Sequence, residues 1–421
     1  MTSPRYVHLI QRYPPALGGA ESYFARLSRY LAEQGSQVDV HTSNALALEA
    51  FWRSDASRLP AGVTQEGQVR IHRHAIRHFP GRKVVLKVLS LLPHPWVQGL
   101  TLPASPQLPS LWSLARRCKE PINLIHGSAF PYTFPLYCGL AWARRLKIPF
   151  FLTPFLHLGD PTQADDRTRA AYLSPPLVYL LRHADRIFVQ TELERQAVLS
   201  QGVREERVIL QGLGVDPAEC TGGDRSRANT RWSLPHEGAL RLGHLANLSE
   251  EKGTVDLLRS VTLLHQRNIP FTLLLAGPSM PNFQRAWQQL PAGIRQHIHV
   301  LGILREEEKP DFFAAVDVFV LPSRSDSFGL VLLEAWANSI PCVGYRAGGI
   351  AEVIRHEEDG YLAPCGDIDS LANYLQRLLS DDEARTTLGQ HGRAKVLNEY
   401  RWEDKLALVK QVYHSLLTTK N

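Results

Sequence analysis

Two carboxylates set eight residues apart mark the part of this chain best equipped for chemistry. They are Asp326 and Glu334, within Pro322–Ile354, PSRSDSFGLVLLEAWANSIPCVGYRAGGIAEVI. The stretch starts at the end of an apolar run, Val316–Leu321, that reads as a buried strand. A polar loop follows, then a helix over Leu330–Asn338, a short strand Cys342–Tyr345 and the pair Gly348–Gly349. In an open α/β sheet, the loop that leaves a strand's carboxyl end and enters a helix is where ligands bind. The backbone N–H groups of Ser327, Phe328, Gly329 and Leu330 are expected to face that crevice, with the positive end of the helix behind them. Phosphates use anion sites of this kind. If the interval were wholly helical, the two carboxylates would stand about 12 Å apart. Flanking one glycosidic bond takes about 5–9.5 Å. The two acids therefore read as hydroxyl acceptors at the ends of an extended ligand with phosphates between them, the layout of a nucleotide sugar. Taken singly, the plainer reading is an N-cap Asp and a surface Glu.

The elements that must hold these groups can be read in order. Arg5–Ile10 is a first strand, and the loop QRYPPALGGAES after it carries Gly18–Gly19. Neither glycine has a Cβ, so backbone there can approach a ligand closely. A helix runs over about Ala20–Gln34, with Phe24, Leu27 and Leu31 at three- and four-residue spacing and Gly35 as its stop. Val38–Thr42 is the second strand. This opens a doubly wound domain, yet it lacks the G-x-G-x-x-G dinucleotide fingerprint. Further strands are expected at Leu124–His126, Pro149–Thr153, Leu240–His244, Phe271–Ala276 and His299–Leu301. Helices are expected over Ser370–Leu379 and Trp402–Leu417. His157 follows the carboxyl end of Pro149–Thr153, where functional loops sit. Lys252–Gly253 opens a helix after Leu240–His244.

The motif residues resemble the donor site of family 4 of the retaining glycosyltransferases, a Glu-x7-Glu motif followed by Gly-Gly-x-x-Glu. Pro322, Ser323, Phe328–Gly329, Glu334–Ala335, Pro341, Gly348–Gly349 and Glu352 match, while Asp326 stands where the first Glu is usual. The resemblance implies that Asp326 faces the donor sugar and that Glu334 binds ribose hydroxyls. It implies that Gly18–Gly19 face the donor's phosphate and sugar, and that His157 contacts the donor sugar. The family's Arg and Lys that hold the diphosphate fall on Asn247 and Lys252, so only the lysine is kept, with His244 close by at a different spacing. The fold implied is GT-B: two facing Rossmann-like domains with a cleft between them. The first (1–220) takes the acceptor, the second (221–400) takes the donor, and a last helix (401–421) crosses back to the first. The activity implied is retaining transfer of a hexose from a nucleoside-diphosphate sugar to a saccharide or lipid-linked hydroxyl, with no cofactor and no metal. The candidate catalytic residues are His157, Lys252 and Asp326. Gly18, Gly19, Asn247, Lys252, Asp326, Ser327, Phe328, Gly329, Leu330 and Glu334 are the candidate donor-binding residues. A sugar-nucleotide epimerase of similar fold and a non-catalytic sugar-nucleotide binding subunit stay open as alternatives.

Composition sets outer limits. A chain of 421 residues is long enough for two domains with full cores. Its five cysteines, at 118, 138, 220, 342 and 365, form no CxxC pair, which suits reduced thiols and a cytoplasmic protein. The N-terminal residues have no signal-peptide layout, and no transmembrane helix is expected. The net charge of +6 is unevenly spread: Gly67–Lys119 holds nine Lys or Arg and no Asp or Glu, together with VVLKVLSLL and Trp96. Such a segment suits contact with the inner face of an anionic membrane or an anionic acceptor, or it is a solvated basic face around buried leucines. No nucleic-acid recognition motif accompanies it. The prolines of 45–118 break the region into short pieces, and it is the candidate for acceptor choice.

Overall fold

The computed structural model describes residues 3–159, 166–235 and 238–418. The chain divides into two compact units. One comprises Met1–Leu156, Arg169–Gln211 and Leu406–Asn421, and the other His157–Thr168 and Gly212–Lys405.

The first unit is built on an eight-stranded sheet. Its strands are β1 (Arg5–Leu9), β2 (Gln37–Ser43), β3 (Gly62–Glu66), β4 (Val69–His74), β5 (Leu124–Gly127), β6 (Phe150–Leu152), β7 (Arg186–Val189) and β8 (Val208–Leu210). They lie in the order β3-β4-β2-β1-β5-β6-β7-β8, parallel except for the β3–β4 hairpin. The helix Gly19–Glu33 buries Tyr23, Phe24, Leu27 and Leu31, the apolar stripe that its spacing implies. Strand order reverses between β1 and β5, so the Gly18–Gly19 loop leaves the sheet at a topological switch point. Tyr413 of the helix Trp402–Thr418 is buried in this unit. Its hydroxyl lies 2.6 Å from His126 Nδ1 and 3.1 Å from His8 Nε2, and its ring stands edge-on to Tyr6.

The basic 67–119 segment is less uniform than its composition implies. Arg70 binds Asp39, Arg73 reaches Thr64 Oγ1 and the Pro14 carbonyl, and the buried Arg82 holds the Ser105 carbonyl. Trp96 turns inward as well: its Nε1 donates to Tyr179 Oη at 3.0 Å and its ring packs edge-on against Tyr137.

The second unit has six parallel strands, β9 (Arg241–Leu245), β10 (Thr272–Ala276), β11 (Ile298–Gly302), β12 (Val318–Leu321), β13 (Cys342–Tyr345) and β14 (Gly360–Ala363). Their order is β11-β10-β9-β12-β13-β14. Numbered from the unit's first strand this is 3-2-1-4-5-6, the doubly wound dinucleotide-fold order. These strands read as near-continuous apolar runs because helices cover both faces of a parallel sheet. Leu242, Leu273, Val318 and Val343 form its core with Leu257, Val261 and Leu371 from the covering helices. Order reverses between β9 and β12, which brings the loops 246–253 and 322–329 side by side.

Candidate active site

Those two loops are stitched together by backbone. Arg324 N–H donates to the Glu251 carbonyl at 2.9 Å, and Ser323 Oγ donates to the same oxygen at 3.3 Å. Gly253 has φ 75° and lies against Pro322, where a Cβ would come 1.8 Å from the proline carbonyl oxygen. Only glycine permits both the left-handed turn and this approach. The stitching sets Lys252 against the second loop, and its Nζ meets Asp326 Oδ2 at 2.7 Å.

Asp326 is held from two sides. Its other oxygen, Oδ1, accepts from the N–H groups of Phe328 (3.2 Å) and Gly329 (2.9 Å). Burial alone would raise its pKa. Lys252, His157 and the backbone donors outweigh burial and bring it down to about 2, so the group is ionised at neutral pH. For Lys252, burial works against the charge and Asp326 more than restores it, leaving its pKa raised. The expected anion nest is therefore half taken by the chain's own carboxylate. The Phe328 and Gly329 N–H groups are not open to a phosphate while Asp326 holds them. Among the described residues those of Ser327 and Leu330 have no protein acceptor.

Gly348–Gly349 supports this loop from beneath. Gly349 N–H donates to the Asp326 carbonyl at 2.7 Å, and a Cβ on Gly349 would stand 2.1 Å from the Ser327 carbonyl oxygen. The glycine pair thus gives the Asp326–Phe328 backbone room to lie flat on it.

His157 belongs to the same unit. Its Nδ1 lies 3.0 Å from the Ser325 carbonyl oxygen. A carbonyl only accepts, so the proton sits on Nδ1 and Nε2 is the acceptor nitrogen. Burial, then Lys252, lower its pKa against the pull of Asp326, which keeps the ring neutral at pH 7. His157 is therefore equipped to accept a hydrogen bond from a hydroxyl.

Glu334 lies in the helix Leu330–Ala337 with different partners. Its Oε1 is 3.4 Å from Lys309 Nζ, and its buried Oε2 has no hydrogen-bond partner among the described residues. Burial raises its pKa despite Lys309. A buried, unsatisfied carboxylate oxygen costs stability unless a donor such as a hydroxyl meets it. Lys309, which follows the run Glu306–Glu308, was not legible as a site residue. Among the described residues Asp326 and Glu334 share no hydrogen-bond or ion-pair partner.

Asn247 and Lys252 line one cavity of about 340 Å³ together with Glu251, Asn282 and Arg285. Arg285 comes from the helix Pro281–Gln289 and forms no ion pair among the described residues. It is a second cation beside Lys252, on an element that no motif flagged. His244, by contrast, is no part of this charge. It is fully buried, with Nδ1 2.9 Å from the Val320 carbonyl and Nε2 2.9 Å from Thr254 Oγ1, and burial pushes its pKa down to about 4. Its role is to tie β9 to its neighbours.

In the first unit the two glycines of Gly18–Gly19 behave differently. A Cβ on Gly18 would meet Glu21 Oε2 at 2.1 Å, so the space beside it is filled by the chain itself. Glu21 is buried and paired with Arg12 at 2.7 Å. Only Gly19 leaves open space, with nothing within 4 Å of a built Cβ. The close-approach role expected of the pair narrows to Gly19.

Comparison with known proteins accords with this architecture. Residues 18–214 match the family model described as glycosyl transferase 4-like domain, and residues 226–395 match that of glycosyl transferases group 1. The chain belongs to the group 1 glycosyltransferases and has the GT-B fold. Among curated relatives, it is 32% identical over 174 residues to an N-acetyl-alpha-D-glucosaminyl L-malate synthase of Bacillus anthracis. That match covers 41% of this chain and 45% of the relative. It is 26% identical over 426 residues to a sulfoquinovosyl transferase of Arabidopsis thaliana, covering 99% of this chain and 74% of the relative. Among solved structures, the Anabaena protein HepE in complex with UDP and glucose superposes with a TM-score of 0.72 at 18% identity, covering 97% of this chain and 99% of that one.

Proposed function

We propose that this protein transfers a hexose from a nucleoside-diphosphate sugar to a hydroxyl of a saccharide or lipid-linked acceptor, with retention at the anomeric carbon. The observation that carries the reading is the group Lys252, Asp326 and His157 at the β9/β12 switch point, beside a cavity shared with Arg285. The diphosphate lies in that cavity. Lys252 has three N–H donors and spends one on Asp326, so the others remain for phosphate oxygens. Arg285 adds the charge that Asn247 cannot supply. The Ser327 and Leu330 N–H groups add two more donors. As the bond from the anomeric carbon to the phosphate oxygen breaks, negative charge grows on the diphosphate, and these fixed cations and dipoles stabilise it. Asp326 and the His157 Nε2 accept from hydroxyls of the sugar, and Asp326 stands close enough to Lys252 to share its charge. Glu334 meets the ribose hydroxyls through its unsatisfied Oε2. The acceptor hydroxyl attacks from the face the diphosphate leaves and gives its proton to the departing phosphate. No divalent metal is required, because Lys252 and Arg285 carry the positive charge. We assign the acceptor to the first unit. A cytoplasmic place in polysaccharide or lipid-linked glycan synthesis follows from that chemistry.

The test is slow hydrolysis of UDP-, GDP- and ADP-hexoses, followed by diphosphate release. UDP-sugars come first, because HepE binds UDP. Lys252→Ala is expected to lower turnover about 100-fold, the scale for losing one charge-stabilising donor. Arg285→Ala is expected to weaken donor binding about tenfold with a smaller effect on turnover. Loss of activity in EDTA with recovery on adding a divalent ion would overturn metal independence. Free hexose without transfer in the presence of acceptors, accompanied by epimerised sugar, would move the protein to the epimerase class.

A further inference from the structure

The helix Arg82–Ser90, sequence RKVVLKVLS, is turned the wrong way for an ordinary surface helix. Six of the thirteen large hydrophobic residues exposed among the described residues lie in or just after it: Val84, Val85, Val88, Leu89, Leu91 and Leu92. Leu91 is 70% exposed, Val84 68% and Val88 59%. A helical residue advances about 100° around the axis. Counting from Arg82, the buried side is Arg82 and Leu86, within about 40° of each other. Val84, Val88, Val85 and Leu89 then occupy an outward arc of about 140°, and Lys83 and Lys87 lie together along one edge of it, between the arc and Leu86. The helix is seated firmly by its other side: Leu86 is buried, and Arg82 Nη2 donates to the Ser105 carbonyl at 2.8 Å. The apolar face is thus held outward by the fold.

We propose that this face, the helix Arg82–Ser90 with Leu91 and Leu92, is an interfacial anchor for an anionic lipid bilayer. Charge selects the partner. No Asp or Glu occurs between Gly67 and Lys119, while Lys83 and Lys87 border the arc and Arg77 is exposed nearby. Neither lysine enters an ion pair among the described residues. The side-chain types select it as well. Protein-binding hot spots are rich in Trp, Tyr and Arg, with Val and Leu under-represented. This face offers only Val and Leu, and the adjacent aromatic, Trp96, is engaged inward with Tyr179 and Tyr137. Nine helical residues span only about 13 Å, too short to cross a bilayer and suited to lying in its surface. An outward apolar patch of this kind on a folded chain marks a site of contact. The inference does not depend on the transferase reading.

The experiment is co-sedimentation of the full chain with unilamellar vesicles, phosphatidylcholine with and without 30% phosphatidylglycerol. Binding is expected to the anionic vesicles and to fall at high salt. Lys83→Gln with Lys87→Gln should weaken it about 30-fold, the effect of two lysines near an anionic surface. Val84→Ser with Val88→Ser should weaken it about tenfold. Both variants should keep the wild-type circular dichroism and donor hydrolysis, since these side chains face outward. Absent or equal binding by wild type and variants to anionic vesicles would overturn the proposal. So would a concentration-dependent dimer, seen by light scattering, that Val84→Ser with Val88→Ser dissolves, because the face would then serve a second copy of the chain.

Discussion

Glu334 illustrates how a candidate site residue can be costly to its own fold. Among the described residues its buried Oε2 has no partner, and its charge is compensated only by a 3.4 Å contact with Lys309, which also binds Glu306. Replacing it by Gln removes the buried charge at almost constant shape. The thermal midpoint of Glu334→Gln is therefore expected to hold or rise, while donor affinity measured by calorimetry falls about tenfold, the worth of a hydrogen bond to a charged group. A lower midpoint with unchanged affinity would make Glu334 a structural residue. Asp326 behaves in the opposite sense. Its folded pKa, about 2, is below the usual carboxylate value, so its contribution to stability is present above about pH 4 and is lost as pH falls toward 2. A shift of this size corresponds to about 2 kcal/mol. Urea unfolding at pH 4.5 and pH 2.5 should show a smaller drop for Asp326→Asn than for wild type by about 1.5 kcal/mol, since part of the contribution survives at pH 2.5; equal drops would mean that the Lys252 contact adds nothing to folding.

At the scale of elements, the strands bearing the site were the most legible part of the chain. The apolar runs at β9, β10, β12 and β13 are continuous because both sheet faces are covered, so their positions stand out within a residue or two. What escaped notice had a physical reason. The β3–β4 hairpin lies in the basic segment, where the alternation of Val69, Ile71 and Arg73 inward with Arg70 outward was masked by charge, and β3 is wholly exposed. The helix Asp382–Glu399 has no apolar stripe. Its buried face includes Gly389, Gly392 and the stem of Lys395, with Gly392 making room for Trp336. At the candidate site, Asp326 was readable from its loop position, and Lys252 and Glu334 from the motif they share with the family. Arg285 and Lys309 were not, because they arrive through tertiary contact from helices with no motif. Nor could spacing reveal that Asp326 would occupy two donors of its own loop. The glycines give an element-level test. Gly349→Ala would press a Cβ on the Ser327 carbonyl and shift the Asp326 loop, so turnover should fall at least tenfold with a loss of about 1–3 kcal/mol. Gly19→Ala meets open space, so stability should be unchanged, and any loss of donor turnover would report a ligand close to that backbone. Unaltered kinetics in Gly349→Ala would detach the glycine pair from the site.

For the whole molecule, the distribution of the proposed donor contacts between the units has a measurable consequence. Lys252, Asp326, Glu334, Asn247, Arg285 and His157 all belong to the unit containing β9–β14, and Gly19 alone represents the other. A ligand that binds the native state stabilises whatever must be intact to bind it, by about 2.7 kcal/mol at 100 times its dissociation constant. Amide exchange in the full chain, with UDP at that excess, should then slow about 100-fold for amides of β9, β10 and β12 that exchange only when the unit opens. The loops 246–253 and 322–330 should gain protection directly, through contact. The strands β2–β4, remote in sequence from every proposed donor contact, should change least unless opening of one unit requires opening of the other. Protection confined to the Gly18–Gly19 loop and β1 would place the nucleotide in the first unit and contradict the proposed site. Equal slowing in both sheets would retain the site and show that the two units unfold together, because a ligand held by one can protect the other only through a shared unfolding step.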